Sequence, residues 1–226
     1  VPRPPAYNFV FKKPTDWQWI HGHIGYFWSL SKTHLYLALI SVVIGLVIAL
    51  PIGVLAARVP KAYGPILAVT TVIYSLPSLA VFAILVSITG LHNDTVIIPL
   101  AGYALAVLVR SVADGLANVP EEVKISATAM GYRPLRRLLT VELPSAVPVV
   151  IAGLRIATVS SISLVTVGSI IGIGGLGILF IEGENNNFIT EILAGVVLVA
   201  IWAFVFDGLL LVAGRLLAPW AKVRRS

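Results

Sequence analysis

Three glycines in the stretch GSIIGIGGLGILF, Gly172, Gly174 and Gly177, spell G-x-G-x-x-G. In a soluble α/β enzyme that spacing makes the turn that holds a dinucleotide pyrophosphate at a helix N-terminus. His21 and His23 stand two apart, the start of a metal site. Both readings need company that the chain does not supply. The nucleotide fingerprint must follow a strand and open a helix inside a βαβ unit, whereas here it ends a run of about 25 mostly apolar residues. The histidine pair has no third ligand nearby, and the absence of cysteine excludes disulfides, Fe–S clusters and thiolate zinc. His34 and His92 stand as far from any nucleophile motif as the first two, and no paired intramembrane Asp occurs. No G-x-x-x-x-G-K-[ST] loop is present to hold ATP phosphates. No catalytic, cofactor-binding or metal-binding residue is therefore expected.

The elements around these residues point to lipid. Hydrophobic residues make up 58% of the 226 and charged residues 12%, against roughly 25% charged in a soluble domain. The net charge of +6 raises nucleic acid as a partner, but the basic residues sit at the ends of apolar runs, which is the pattern of membrane topology. No nucleic-acid partner is expected. A spanning helix needs about 20 mostly apolar residues. Five segments qualify: 35–57, 66–88, 95–112, 146–171 and 189–217, with Pro77 kinking the second. The expected fold is an all-α integral membrane protein with five transmembrane helices.

Loop charges orient it. Arg58 and Lys61 follow span 1; Lys124, Arg133, Arg136 and Arg137 follow span 3; Lys222, Arg224 and Arg225 follow span 5. The loops GLHND and EGENNNF, after spans 2 and 4, hold no Lys or Arg. The positive-inside rule then puts the N-terminus outside and the C-terminus in the cytoplasm of a multi-pass cell-membrane protein. Arg3, Lys12, Lys13 and Lys32, before span 1, run against the rule and are outvoted. Residues 1–32 form an external tail in which WQWIHGHIGYFWSL (17–30) reads as an aromatic interfacial helix. The membrane domain covers 33–218, and 219–226 is a cytoplasmic basic tail.

The largest polar insertion lies at about 118–145. Pro120 can open a helix, Glu121 and Glu122 suit its positive N-terminal end, and Gly131 stops it, giving a helix over 120–130. A basic segment follows, and Pro144 and Pro148 mark the entry to span 4. A rigid helix projecting from a membrane domain suits docking, or equally an interface held by anionic lipid.

The spacing of Ala127, Gly131, Val141, Leu143 and Pro144 resembles the EAA loop of ABC-importer permeases: Glu-Ala-Ala, three residues, Gly, nine residues, Ile, one residue, Leu-Pro. LPSLAVFAIL in span 2, AGLRIA in span 4 and the IGIGGLG turn are similar to the branch that imports glycine betaine, carnitine, choline and proline. Ile125 and Ser126 stand where the family has Glu and its first Ala. The resemblance implies a type I importer permease fold with a cytoplasmic coupling helix, and an ATPase-coupling surface of Glu121, Glu122, Ala127, Ala129, Gly131, Tyr132, Arg133, Leu143 and Pro144. It implies a second permease chain, the same or related, two cytoplasmic ABC ATPase subunits and an extracytoplasmic substrate-binding protein, all working in membrane lipid. The function expected is import of a small compatible solute. The alternatives are import of another small solute such as an amino acid, a secondary transporter, for which no inverted repeat is found, or a membrane-anchored enzyme.

Within this frame the opening glycines read differently. Gly172, Gly174, Gly175 and Gly177 make a tight turn at the outer mouth, an outer gate or a plain connection. Arg155 and Asp207 each lie about ten residues from the cytoplasmic end of their span, roughly 15 Å deep, and are expected to pair. Tyr74, Pro77, Ser78 and Tyr103 are pathway candidates. An aromatic cage for a quaternary ammonium belongs on the binding protein, because a conduit holds its cargo weakly.

Overall fold

Helices make up nearly all of the computed structural model, which describes residues 16–220; no strand occurs among them. The expected tail before Asp16 and the basic residues Lys222, Arg224 and Arg225 lie outside the described residues. A short α1 (Trp17–Gly22) leads into α2 (Ile24–Arg58), α3 (Pro60–Ser75), α4 (Ser78–Thr89) and α5 (Asp94–Ala117). Then come α6 (Glu121–Ala129), α7 (Pro134–Arg137), a π-helical turn (Leu138–Glu142) and α8 (Leu143–Gly168). Two 3₁₀ turns lead to α9 (Ile178–Asn185) and α10 (Ile189–Leu217). Four stretches are long and apolar enough to span a membrane, and α3 with α4 makes a fifth if the pair is one broken span.

The aromatic stretch 17–30 is not one helix. Asp16 caps α1 by accepting from the Trp19 N–H at 3.1 Å, and the chain turns at His23. Nothing between Ile24 and the first apolar run breaks a helix, so α2 extends over 35 residues, about 50 Å. Trp19 and Phe27 face the protein: Trp19 packs edge-on against Phe188 at 5.1 Å, and Phe27 is buried with Leu176 and Leu179. Trp17 and Trp28 remain exposed.

At Pro77 the expected kink is a full break. The axes of α3 and α4 diverge by 86°. Proline drives the residue before it out of the helical region and offers no N–H to the preceding turn. Leu76 (φ −68°, ψ 134°) and Pro77 (φ −62°, ψ 119°) are both extended, so the helix stops and restarts. The Tyr103 hydroxyl of α5 donates to the Leu76 carbonyl at 3.0 Å, supplying a partner at the corner.

Helix α5 is the centre of the bundle, with Leu100, Leu108, Val109 and Val112 fully buried. Its partner α2 presents Ser41, Gly45, Ala49 and Gly53, small and buried at every fourth position. Four-residue spacing puts them on one face, where small side chains let backbones approach. A Cβ on Gly53 would lie 2.6 Å from Val112 Cβ, and one on Gly45 2.9 Å from Ala104 Cβ. Helix α8 completes the core through Ala157, Ile162 and Val165. By contrast α10, apolar along its length, buries only Thr190, Glu191 and Gly195. Such a helix needs lipid or another chain on its free faces.

Candidate functional site

The expected site residues gather at opposite ends of the bundle. At the basic end, Pro120 takes the N-cap position of α6, and Glu121 and Glu122 occupy its first turn, exposed and favourably placed against the helix dipole. Lys124 pairs with Glu121 at 3.2 Å. Ala127 is buried against the bundle, while Ile125 and Ala129 face outward. The helix closes in a Schellman motif: Gly131 N–H donates to the Thr128 carbonyl at 2.9 Å and Tyr132 N–H to the Ala127 carbonyl at 3.1 Å. Gly131 has φ +80°, which explains glycine there, and open space where a Cβ would point. The Arg136 guanidinium lies 4.7 Å from the Tyr132 ring centre. Arg133 precedes α7, and Leu143 and Pro144 open α8, half-buried.

Between them stands a residue the sequence reading passed over. The Glu142 carboxylate is only 3% exposed and takes two guanidiniums. Arg58 Nη2 donates to both its oxygens at 2.9 Å, and Arg137 Nε to Oε1 at 2.8 Å. The available signal was a lone acid inside LLTVELP, five residues after Arg137; its other partner is 84 residues away.

At the other end, α8 runs out in a second Schellman motif. Gly172 N–H donates to the Ser169 carbonyl and Ile173 N–H to the Gly168 carbonyl, both at 2.9 Å. Gly172 (φ +82°) and Gly175 (φ +51°) take the left-handed conformation. Gly174 and Gly177 lie against α8: a Cβ on Gly174 would overlap the Ser169 backbone, and one on Gly177 would lie 2.6 Å from the Thr166 carbonyl oxygen. Gly175 lies against α2, where a Cβ would meet the His34 Cβ at 2.6 Å. Buried His34 ties the pieces together, with Nε2 2.8 Å from the Ile162 carbonyl and Nδ1 3.3 Å from that of Gly174. Its role was invisible in the sequence, because both partners are backbone groups of remote elements. Nearby, the Tyr26 hydroxyl reaches the Glu182 carboxylate at 3.0 Å.

Mid-bundle, Arg155 and Asp207 meet as the depth arithmetic predicts. Nε donates to Oδ1 and Nη2 to Oδ2, both at 2.7 Å, a bidentate fork between α8 and α10. Tyr74 and Tyr103 sit edge to face at 6.3 Å beside the Pro77–Ser78 break, so those four residues form one cluster. Tyr103, nearly buried, braces the corner. Tyr74 is exposed.

Residues 49–223 match the family described as binding-protein-dependent transport system inner membrane component. The chain belongs to that family. The choline transport system permease protein OpuBB of Bacillus subtilis is 36% identical, over 84% of this chain and 88% of that protein. The glycine betaine/carnitine/choline transport system permease protein OpuCD of the same organism is 34% identical, over 88% of this chain and 87% of that protein. The osmoprotectant import permease protein OsmW of Salmonella typhimurium is 31% identical, over 82% and 89%. The fold is similar to that of a chain of the MetNI methionine ABC transporter, solved in inward-facing conformations, with a TM-score of 0.75 at 22% identity over 91% of this chain and 98% of that one. This inner membrane component is thus a multi-pass permease subunit and not an enzyme, with the type I importer architecture.

Proposed function

We propose that this permease subunit passes a small compatible solute of the glycine betaine, choline, carnitine or proline type into the cell, driven by two ABC ATPase subunits docked on the α6–α7 loop. One observation carries the reading. Ile125, Met130 and Leu135 are 61%, 70% and 67% exposed on a loop that also carries Glu121, Glu122, Arg133 and Arg136. Apolar side chains on a charged, projecting loop suit burial against another protein. With Ile125 and Ser126 in the place of the family's Glu and Ala, docking rests on shape and apolar burial. Ala129, Tyr132 and Arg133 flank that contact.

The loop charges support a cytoplasmic position for this end and an external N-terminus. The glycine turn and the aromatic residues of 17–30 then lie on the outer side, where a substrate-binding protein delivers the solute. The open faces of α3, α4 and α10 suit a second permease chain and lipid. Similarity to choline and glycine betaine permeases supports the solute class.

The test is uptake by the complex, co-purified with its ATPase and binding protein and placed in liposomes. Labelled choline and glycine betaine should accumulate only with ATP on the ATPase side and compete with each other. Accumulation without ATP, or of methionine in their place, would overturn the reading.

A further inference from the structure

The ion cluster at the base of the bundle joins parts that a coupling mechanism has to connect. Thr128 lies in α6 and donates to the Lys124 carbonyl at 2.8 Å. Arg137 Nη1 donates to the Thr128 Oγ1 at 2.8 Å, and Nε of the same guanidinium donates to Glu142 at 2.8 Å. Both oxygens of Glu142 accept from Arg58, the last residue of α2. After Arg58 the backbone is extended at Val59 and α3 begins at Pro60, so Arg58 marks the corner between two spans. Charge-assisted hydrogen bonds therefore run without a gap from α6 to the α2–α3 corner.

Glu142 also closes the π-helical turn, in which Leu143 N–H donates to the Leu138 carbonyl. Such turns carry an extra residue per turn and recur at functional positions. Movement of α6 relative to α2 either drags the carboxylate through Arg137 and the chain of α7 or gives up the exposed Arg137–Thr128 hydrogen bond. Breaking the bonds of Glu142 itself strands a buried charge beside two guanidiniums, so the carboxylate and its two arginines move together.

We propose that Glu142 is a positioning residue of transport, a joint that passes movement of the ATPase-docking helix to the α2–α3 corner through Arg137 and Arg58. This rests on the docking role of α6 argued above. Glutamine at 142 keeps the shape and one acceptor oxygen, but its amide nitrogen can only donate and it cannot neutralise two cations. The joint then goes slack while the docking surface is unchanged.

The experiment uses the whole complex in liposomes and records ATPase co-purification, melting temperature, ATP hydrolysed and solute accumulated. Glu142→Gln should keep wild-type assembly and a complex that stays folded at the assay temperature, while solute moved per ATP falls about tenfold, within the usual range of coupling between sites. Arg58→Gln, at a half-exposed helix end, should do the same, and the double variant should be no worse than either alone because both cut one line. If Glu142→Gln does not accumulate in the membrane, Arg58→Gln decides. A wild-type ratio, or losses that multiply in the double variant, overturns the joint. So does a fall in melting temperature that accounts for the lost transport, which makes Glu142 a static brace, or loss of the ATPase, which makes it part of the docking face. Ile125→Asp separates this from the underlying reading. If it leaves assembly and uptake intact, docking on α6 fails and the joint with it. If it abolishes assembly while Glu142→Gln transports normally, only the joint fails.

Discussion

Alanine placed singly at Gly172, Gly174 and Gly175 separates backbone strain from steric overlap within one turn. Gly175 carries both. Its φ of +51° costs an L-residue about 1–2 kcal/mol. Its Cβ would also stand 2.6–2.7 Å from the Cβ, Cα and N of His34, where carbon contacts settle at about 3.5 Å or more. His34 cannot swing aside: it lies mid-helix with both ring nitrogens against carbonyl oxygens. Overpacking of that kind costs about 1–3 kcal/mol, for a total of about 2–5 at Gly175. Gly172 (φ +82°) has strain alone, since no atom lies within 4 Å of its added Cβ, and should lose about 1–2 kcal/mol. Gly174 (φ −155°) is unstrained and has overlap alone, against the Ser169 backbone, at about 1–3 kcal/mol. Melting of the purified permease in detergent reads the order, each kcal/mol being worth about 2–4 °C in a chain of this size. Gly175→Ala should melt lowest, with Gly172→Ala nearer to wild type. For transport, Gly174→Val and Gly175→Val should depress uptake more than ATPase assembly, because the turn and the docking loop lie at opposite ends of α8. Equal losses at Gly172 and Gly175, or a tolerated Gly175→Ala, would refute the reasoning.

Arg155→Ala and Asp207→Ala should each lower the melting temperature by stranding one charge of the fork, and the double variant should recover much of the loss; additive losses would show that the pair does not act as one. Tyr103→Phe leaves the Leu76 carbonyl without its donor at the break and should cost about 1–2 kcal/mol. Tyr74→Phe, on an exposed ring, should melt like the wild type, and matched losses would show that the hydroxyl of Tyr103 does not hold the corner.

Properties local to a segment were legible in the sequence. The run 35–57 reads as a span because it is long enough to cross a bilayer and carries no charged residue. Arg155 and Asp207 could be paired by counting 1.5 Å steps along two straight helices. Gly131 could be read as the stop of α6 because a helix C-terminus is closed by its own last turn. What depended on another element was not legible. Pro77 alone licenses a kink, and the 86° break also needs two extended residues and a hydroxyl from α5. His34 and Glu142 draw their partners from distant segments, and in Glu142 an acid among apolar neighbours gave no periodic signal. The aromatic stretch 17–30 was read as one helix because the turn at His23 has no proline or paired glycine to announce it.

The small-residue seam between α2 and α5 has a mechanical consequence. With no room for even a Cβ at Gly45 or Gly53, α2 and α5 have little space to close further on each other. The α2–α5 pair therefore packs as one unit, and the elements with little buried surface lie outside it: the broken α3–α4 arm, and α10, tied to α8 by its fork to Arg155.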